Sequence, residues 1–434
     1  MMKSTEWDLQ FVPTMGSRLS ERNNSVRLCV LGGSSVATVQ LAQALSDWPG
    51  GPERRPALEI VLHGRDERKL STVATQFSSE TKTFAKVSST HILEHALAGA
   101  DIVLVQVRIG GLTARSFDES FPARAGLPGE ETLGPGGLAN AMRTVQSLES
   151  TWESMRSVCP SAFVIVLTNP AGIVRQSAAM HGMRAVEVCD SPVAFINATA
   201  KSLGKSSDEV ARRYVGMNHL GWYVPINGAE LDSLSSGQAV APNVVRAHGA
   251  VPLGYVRYYV DQESILESQK DRPTRAEQLM ELETEAMKKL TSSEMPDVNA
   301  RPAPWYSLGV VPVIDAYVCG SDSSFVLGSA NSGRLAALPD EVTVEGCVKF
   351  TSSGAMELLD LVTLPLIPSS ILSRQATYEQ LAIQAAHESN EERIFAAMLA
   401  NPMVATARQA EVLTAALLEQ RLSESIMVRR GTKT

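Results

Sequence analysis

Small and polar residues that could do chemistry follow several apolar runs of the sequence. The segment Gly32-Gly33-Ser34-Ser35 comes directly after Val26–Leu31, and Cys189 comes directly after Val186–Val188. Cysteine and histidine are ligands that borderline divalent metals accept. Cys189 and His219 are therefore candidate metal ligands, although a lone cysteine or histidine is more often an ordinary part of a core.

The glycine turn points to a second kind of chemistry. It separates an apolar run from the helical pattern VATVQLAQAL, which is the order of a nucleotide-binding strand, turn and helix. Ser34 stands at the second glycine position of the full GxGxxG pattern. Glycine lets the backbone approach a pyrophosphate, and the helix N-terminus favours the anion. The turn predicts dinucleotide binding, with a purely structural turn as the alternative.

The end of the next apolar run, Leu58–Leu62, bears on the cofactor. A dinucleotide-binding strand here usually ends in an acid that holds the ribose diol. This chain reads His63-Gly64-Arg65-Asp66 instead. Arg65 suits a 2′-phosphate, so NADP remains open beside NAD. Asp66 either holds the ribose or caps the following helix, and the cap is favoured.

These motifs require a sheet that brings their strand ends together. Buried runs that alternate with helical patterns predict an α/β fold with a Rossmann-type, doubly wound parallel sheet. The predicted strands are residues 26–31, 58–62, 83–87, 101–107, 162–167 and 186–188. Ligands bind at the carboxyl ends of such strands, which is where these polar motifs fall.

The pattern divides the chain into three parts. We expect a mobile leader over residues 1–25, a dinucleotide-binding domain over 26–196, and an α+β catalytic domain over 197–434. In the last part, strands are predicted at Tyr214–Pro225, Val310–Ile314 and Glu341–Phe350, and helices within Tyr378–Met427.

Composition excludes several classes of protein. The net charge of −8 argues against a general nucleic-acid binder, whose affinity depends on neutralising phosphates. No run of 18 apolar residues exists, so no membrane span is expected. Five widely spaced cysteines without a CxxC pair favour a reducing cytoplasm over a disulfide framework.

Six motifs, taken in order, resemble those of the family 4 glycoside hydrolases, which are NAD- and metal-dependent glycosidases related in fold to lactate and malate dehydrogenases. The resemblance extends from about Val26 to about Met403. Its motifs are RIGGLTARSFDESFPARAGLPGEETLGPGGL, LTNPAG, CDSP, GMNHLGW, GYVRYY and NSGRLAALPDE.

The resemblance implies a role for individual residues. Cys189 and His219 match the family's two protein ligands for a divalent metal, usually manganese, and Tyr255 matches its proposed base. Asp190 lies beside the cysteine as a possible general acid. The implied sugar contacts are Arg108, Asn169 and Asn218, and the implied cofactor contacts are Gly32, Gly33, Ser34 and Ser35, to which Arg65 is added.

The implied chemistry is hydrolysis through a temporary oxidation. NAD takes a hydride from C3 of the sugar, the metal polarises the resulting ketone, and Tyr255 removes the C2 proton. A nearby metal and Arg257 are expected to lower the pKa of this phenol. The C1 group leaves with help from Asp190, water adds, and the hydride returns.

Departures from the family pattern concern the substrate and the cofactor. Val36 replaces a serine that helps to hold a substrate 6-phosphate, unless a shift of one residue gives Ser35 that role. Arg275 resembles the other phosphate contact, and Glu130 replaces a glutamine. The expected substrate is a 6-phospho-glucoside. The alternatives are an NAD(P)-dependent dehydrogenase of a sugar or hydroxy acid and a non-catalytic sugar-binding homologue. Family members form dimers or tetramers, which implies a homo-oligomer.

Overall fold

The first half of the chain forms six parallel strands. The computed structural model of the protein describes residues 25–292, 300–321, 323–352 and 354–431. The strands are β1 (Ser25–Leu31), β2 (Ala57–His63), β3 (Ala85–Thr90), β4 (Ile102–Val105), β5 (Phe163–Val166) and β6 (Arg184–Glu187). Their spatial order is β3-β2-β1-β4-β5-β6, and each neighbouring pair is parallel. This order confirms the predicted Rossmann-type sheet. The predicted leader lies outside the described residues, apart from Ser25.

Helices cover both faces of this sheet. They are α1 (Thr38–Ser46), α2 (Glu67–Thr81), α3 (Leu93–Leu97), α4 (Gly111–Ser120), α5 (Gly134–Val158), α6 (Ala171–Met180) and α7 (Asp190–Leu203). Side chains of β1 alternate between the two faces. Leu28 and Val30 belong to one buried cluster, and Cys29 and Leu31 belong to another. The strands therefore read as continuous apolar runs because both of their faces are covered.

The second half of the chain continues the same sheet with antiparallel strands. They are β7 (Tyr214–Met217), β8 (Leu220–Tyr223), β9 (Val251–Pro252), β10 (Ser324–Ala330), β11 (Thr343–Phe350) and β12 (Met356–Leu358). From β6 the sheet continues as β10-β11-β7-β8-β9, and β12 pairs with β11. One twelve-stranded sheet therefore crosses the predicted domain boundary near residue 197, and the division into two domains stays a prediction.

The remaining helices are mainly in the second half. They are α8 (Ser207–Ala211), α9 (Gly228–Leu234), α10 (Pro242–His248), α11 (Arg257–Val260), α12 (Gln262–Gln269), α13 (Arg275–Thr291), α14 (Val311–Cys319), α15 (Leu366–Glu388), α16 (Glu391–Ala400) and α17 (Ala407–Gly431). Short 3-10 turns span Phe121–Ala125 and Gly254–Val256. None of the helices in the described ranges has the length and apolar character needed to cross a bilayer.

The prediction of a strand at Val310–Ile314 is wrong. A π-helical turn covers Tyr306–Val310, and α14 follows it with Pro312 in its first turn. A short apolar run fits a buried helix as well as a buried strand, and proline is well tolerated in the first turn of a helix. The predicted strand 214–225 is in fact the hairpin of β7 and β8, and β10 was not predicted.

Helix α14 is attached to the first half of the chain by a buried carboxylate. Asp315 accepts hydrogen bonds from the Trp48 indole at 2.8 Å and from the Arg54 guanidinium at 2.9 Å, through the same oxygen. Trp48 and Asp315 are both buried. A buried carboxylate needs such partners because desolvation of an unpaired charge is costly.

We predict that Asp315→Ala lowers the free energy of unfolding by about 1–3 kcal/mol, because the buried indole N–H loses its acceptor. Urea unfolding followed by tryptophan fluorescence measures the change. Asp360→Ala is the control, since Asp360 is exposed. Equal stability of the two variants would contradict the prediction.

Candidate active site

The glycine turn after β1 fits the phosphates of a dinucleotide. Gly32 has a φ of +91°, and a Cβ atom there would lie 2.8 Å from the carbonyl oxygen of Gln106. The N–H groups of Gly32 and Gly33 donate to the carbonyl of His63 at 3.0 and 2.8 Å, so the turn lies against the end of β2. The Ser35 hydroxyl accepts a hydrogen bond from the N–H of Ala37 at 3.3 Å. Glycine at these two positions keeps side chains out of the turn, as the close approach of a phosphate requires.

The residues after β2 differ from the usual ribose site. Asp66 is the N-cap of α2 and accepts from the N–H groups of Arg68 and Lys69, which confirms the favoured interpretation. Gly64 is buried against Ser34. Arg65 is exposed next to this contact.

Cys189 and Asp190 lie at the carboxyl end of β6. Cys189 is the N-cap residue of α7, and Asp190 is the first residue of that helix. Burial raises the pKa of the Cys189 thiol well above its ordinary value, and the nearby carboxyl of Glu345 adds to this effect. Burial also raises the pKa of Asp190. A half-buried carboxyl with a raised pKa can hold a proton for donation.

Asn218 and His219 form the turn between β7 and β8. Both side chains are buried, and His219 has the left-handed φ of 60° that few non-glycine residues adopt. Nδ1 of His219 has no hydrogen-bond partner in the described part of the chain. The Asn218 amide lies beside the buried carboxyls of Glu187 and Glu345 and acts to lower their pKa values. Burial lowers the pKa of His219 to about 4, so the imidazole is neutral near pH 7.

Tyr255 stacks on this histidine. The two ring centroids are 4.1 Å apart, and the planes differ by 10°. Burial raises the pKa of the half-buried Tyr255 phenol, and Glu130 and Cys189 raise it further. The expectation of a lowered pKa is therefore not met for Tyr255. Arg257 acts instead on Tyr258, whose ring centroid lies 5.6 Å from its guanidinium and whose pKa it acts to lower.

Arg108 and Asn169, from the loops after β4 and β5, meet at the buried carboxylate of Glu131. The Arg108 guanidinium binds both oxygens of this carboxylate, and Arg115 on α4 binds it at 2.9 Å. Burial acts to raise the pKa of Glu131, but the two arginines and the Asn169 amide outweigh it and lower the pKa. The predicted sugar contacts are therefore fixed by an ionised acid.

A series of ion pairs and hydrogen bonds extends from Glu131 toward Arg275, the predicted phosphate contact. Glu119 accepts from Arg115 at 2.6 Å and from the N–H of Ala276, in the first turn of α13, at 2.8 Å. Arg275 is exposed beside Ala276 and donates to Gln278 at 3.1 Å.

The other end of α13 packs near the nucleotide turn. Met287 and Leu290 lie in a cluster with Val36, Val39 and Val73. At roughly 1.5 Å per residue, Arg275 lies about 18 Å along the helix from Met287. The structure therefore places Arg275 beside the Glu131 network, at the opposite end of α13 from the turn that contains Ser34 and Ser35.

Three buried glutamates lie beneath the Cys189 loop. Glu187 on β6, Glu345 on β11 and Glu379 on α15 are each at most 3% exposed. The Tyr214 hydroxyl donates to Glu345 at 2.8 Å, and the Gln375 amide donates to Glu379 at 3.0 Å. Burial raises the pKa of Glu187 well above its ordinary value, that of Glu345 to about 7 and that of Glu379 to about 8.

The residue-level interpretation missed Glu131, Arg115 and this acid cluster. The sequence did point to Glu131, because this residue lies in the GEET segment of the longest of the six motifs. The sequence also pointed to Glu187, because a charged residue in a predicted buried strand is expected to have a partner. Glu345 and Glu379 lie too far away in sequence for any local pattern to pair them with Glu187.

Comparisons with known proteins identify the family. Residues 29–205 match the family described as "Family 4 glycosyl hydrolase", and residues 214–404 match "Family 4 glycosyl hydrolase C-terminal domain". The chain belongs to family 4 of the glycosyl hydrolases. Together the two matches cover most of the sequence, which confirms the resemblance found in its motifs.

Curated relatives and solved structures agree with this assignment. The chain is 26% identical over 412 residues to a 6-phospho-beta-glucosidase of Thermotoga maritima, a match that covers 91% of this chain and 98% of that one. It is 24% identical over 439 residues to a maltose-6'-phosphate glucosidase of Bacillus subtilis, with 92% and 96% covered. The Thermotoga maritima enzyme solved with manganese, NAD+ and glucose-6-phosphate has a TM-score of 0.82 at 23% identity, with 91% and 98% covered.

A malate dehydrogenase from Plasmodium falciparum shares the fold. Its TM-score is 0.51 at 13% identity, and the match covers 84% of this chain and 99% of that one. The fold relationship expected from the resemblance is therefore confirmed.

The residues of the site fit a divalent metal. His219 offers a buried, neutral imidazole with an unpartnered nitrogen, which is the form that coordinates a metal. Cys189 offers a half-buried thiol that a cation would convert to thiolate. Among the described residues, no three His, Cys, Asp or Glu side chains form a complete metal site. A metal that is held by only two protein ligands keeps coordination positions open for the substrate.

We predict that Cys189→Ser weakens Mn²⁺ binding about tenfold or more, since losing even an outer partner of a metal site costs about that much. Titration of Mn²⁺ by electron paramagnetic resonance measures the affinity. Binding to the unmodified chain should strengthen as pH rises, because the thiol loses a proton. Cys159→Ser is the control, as Cys159 is also a free thiol and is buried outside the candidate site. Unchanged affinity in Cys189→Ser would contradict the assignment.

We predict that the protein loses stability as pH rises and that Glu379→Gln reduces this loss. The unfolded carboxyl ionises near 4.5, whereas folded Glu379 keeps its proton up to about 8. Its stabilising effect is complete below the unfolded pKa and is lost between these values, at about 1.4 kcal/mol per pH unit. Between pH 6 and 7.5, Glu379→Gln should therefore lose about 2 kcal/mol less than the unmodified chain. Urea unfolding at both pH values measures this, with the exposed Glu281→Gln as control.

Proposed function

We propose that this protein hydrolyses O-glycosides, with 6-phospho-glucosides as the preferred substrates. The observation that carries the proposal is the stack of Tyr255 on the unpartnered His219, beside Cys189. A simple dehydrogenase of a hydroxy acid or sugar does not need a phenol next to a metal-binding pair. The site therefore favours glycosidase chemistry over the alternative of a net oxidation.

Each side chain has a definite task in the proposed reaction. A nicotinamide dinucleotide supplies a reversible hydride acceptor when bound, and a divalent metal held by Cys189 and His219 supplies a Lewis acid. Removal of hydride from C3 makes the C2 proton acidic, and Tyr255 takes that proton. The raised pKa of Tyr255 in the metal-free chain implies that a cation is needed to form the phenolate.

Bond cleavage follows from the loss of the C2 proton. The C1–O bond breaks as the C1–C2 double bond forms, and Asp190 donates a proton to the departing oxygen. Water then adds at C1, Tyr255 returns a proton to C2, and the hydride returns to C3. The overall change is hydrolysis, and the oxidised dinucleotide is regenerated.

Arg108, Asn169 and Asn218 are the proposed sugar contacts. The first two are held by Glu131, and Asn218 lies in the turn beside His219, with its amide next to the carboxyls of Glu187 and Glu345. Arg275, exposed at the start of α13, is the proposed phosphate contact. Relatives named as 6-phospho-glucosidases support this substrate class. We also expect a cytoplasmic homodimer or homotetramer.

The test of the function is a panel of aryl α- and β-glycosides, with and without a 6-phosphate, assayed in deuterium oxide with dinucleotide and Mn²⁺. We predict release of the aryl group and incorporation of deuterium at C2 of the sugar. Tyr255→Phe should lose roughly 10²–10⁴-fold in kcat, as expected for loss of a general base. It should keep its fold and its Mn²⁺ affinity.

Tyr378→Phe is the matched control for this loss. It also removes a buried hydroxyl, which donates to the carbonyl of Gly134 at 3.3 Å. Product without deuterium at C2 from an otherwise active enzyme would disprove the proposed route. Accumulation of reduced dinucleotide in proportion to product would instead indicate a dehydrogenase.

A further inference from the structure

The segment after β2 has an unusual charge arrangement for a site that binds NAD. A carboxylate at the end of this strand normally accepts hydrogen bonds from the adenosine ribose diol. Gly64 occupies the position where that acid is expected, and it is buried. The Gly32 and Gly33 N–H groups bind the carbonyl of the preceding His63, so this position directly adjoins the phosphate turn.

The space for a carboxylate at position 64 is taken by Ser34. A Cβ atom on Gly64 would lie 2.8 Å from the Ser34 hydroxyl oxygen and 2.9 Å from its Cβ. Ser34 stands in turn where the dinucleotide pattern has a glycine. Ser34 and Gly64 therefore depart from the dinucleotide pattern together. With serine in the turn, only glycine fits at the position after the strand.

The neighbouring carboxylates are already bound elsewhere. Asp66 accepts from the N–H groups of Arg68 and Lys69 as the cap of α2. The Glu67 carboxylate lies 3.1 Å from Nδ1 of His91. Within the segment 63–69, both carboxylates therefore already have partners in the protein, and neither of them occupies position 64.

The cations of this segment are available instead. Arg65 and Arg68 are exposed, and neither makes an ion pair in the described chain. Arg65 directly follows the buried Gly64, at the place where the ribose acid is missing. Guanidinium binds phosphate oxygens in a bidentate manner and always carries its charge.

We propose that the dinucleotide site of this chain selects the 2′-phosphorylated cofactor, NADP, with Arg65 as the specificity-determining residue. The proposal rests on the proposed function only in requiring a nicotinamide dinucleotide at the glycine turn. It adds the chemical class of that dinucleotide, which the family assignment does not give for this chain.

Calorimetric titration of the full chain with NAD+ and with NADP+ tests the proposal without any turnover. We expect the dissociation constant for NADP+ to be lower by about tenfold or more, as one charge-assisted contact predicts. Arg65→Ala should bring the two constants within about threefold of each other, mainly by weakening NADP+. Arg156→Ala, which removes an exposed arginine of α5, is the matched control. Added salt should weaken NADP+ more than NAD+.

A paired exchange tests the packing argument. Ser34→Gly combined with Gly64→Asp should favour NAD+, whereas Gly64→Asp alone should weaken both cofactors because its side chain meets Ser34. Thermal melts confirm that the variants fold. Tighter binding of NAD+ than of NADP+ by the unmodified chain would overturn this proposal and leave the glycosidase function intact. Failure of both cofactors to bind would overturn the proposed function as well. Selectivity that survives Arg65→Ala would overturn the role of Arg65.

Discussion

Gly328 on β10 stands opposite Glu187 on β6, and this pairing joins the parallel and antiparallel parts into one sheet. The pairing requires glycine, because a Cβ atom at 328 would lie 2.7 Å from the Cβ of Glu187. Through this junction, β10 lies beside β6, and β11 and β7 follow β10 in the sheet. The loop with Cys189 and the turn with His219 therefore belong to one rigid framework. The rest of the candidate site is built on that placement.

Buried charge is handled in two ways around this junction. Glu131 stays ionised because Arg108, Arg115 and Asn169 compensate for its desolvation. Glu187, Glu345 and Glu379 have few donors, and burial raises their pKa values instead. The first arrangement fixes Arg108 and Asn169, the proposed sugar contacts. The second supports the strands beneath them and makes the stability of the fold sensitive to pH.

The cofactor end and the chemical end of the site are connected through α13. Its C-terminal half packs on α1 and α2 near the glycine turn, and its first turn receives Glu119 from the Glu131 network. One helix therefore contacts both parts of the candidate site.

The sequence by itself determined those features that depend on neighbouring residues. Apolar runs located five of the six parallel strands to within one or two residues, Gly32 marked the turn, and Asp66 marked the cap of α2. The motifs also identified the family and named Cys189, His219 and Tyr255. Local geometry was sufficient because strand period, positive φ and capping act within a few residues.

Only the tertiary structure decided how distant residues meet. It placed Tyr255 on His219, brought Arg115 to Glu131, and separated Arg275 from the glycine turn. It also made α14 a helix where its apolar run allowed a strand. These outcomes depend on which surfaces bury one another and on how each buried charge is compensated. Both are properties of the complete fold, because the free energy of a buried group is set by neighbours that are remote in sequence.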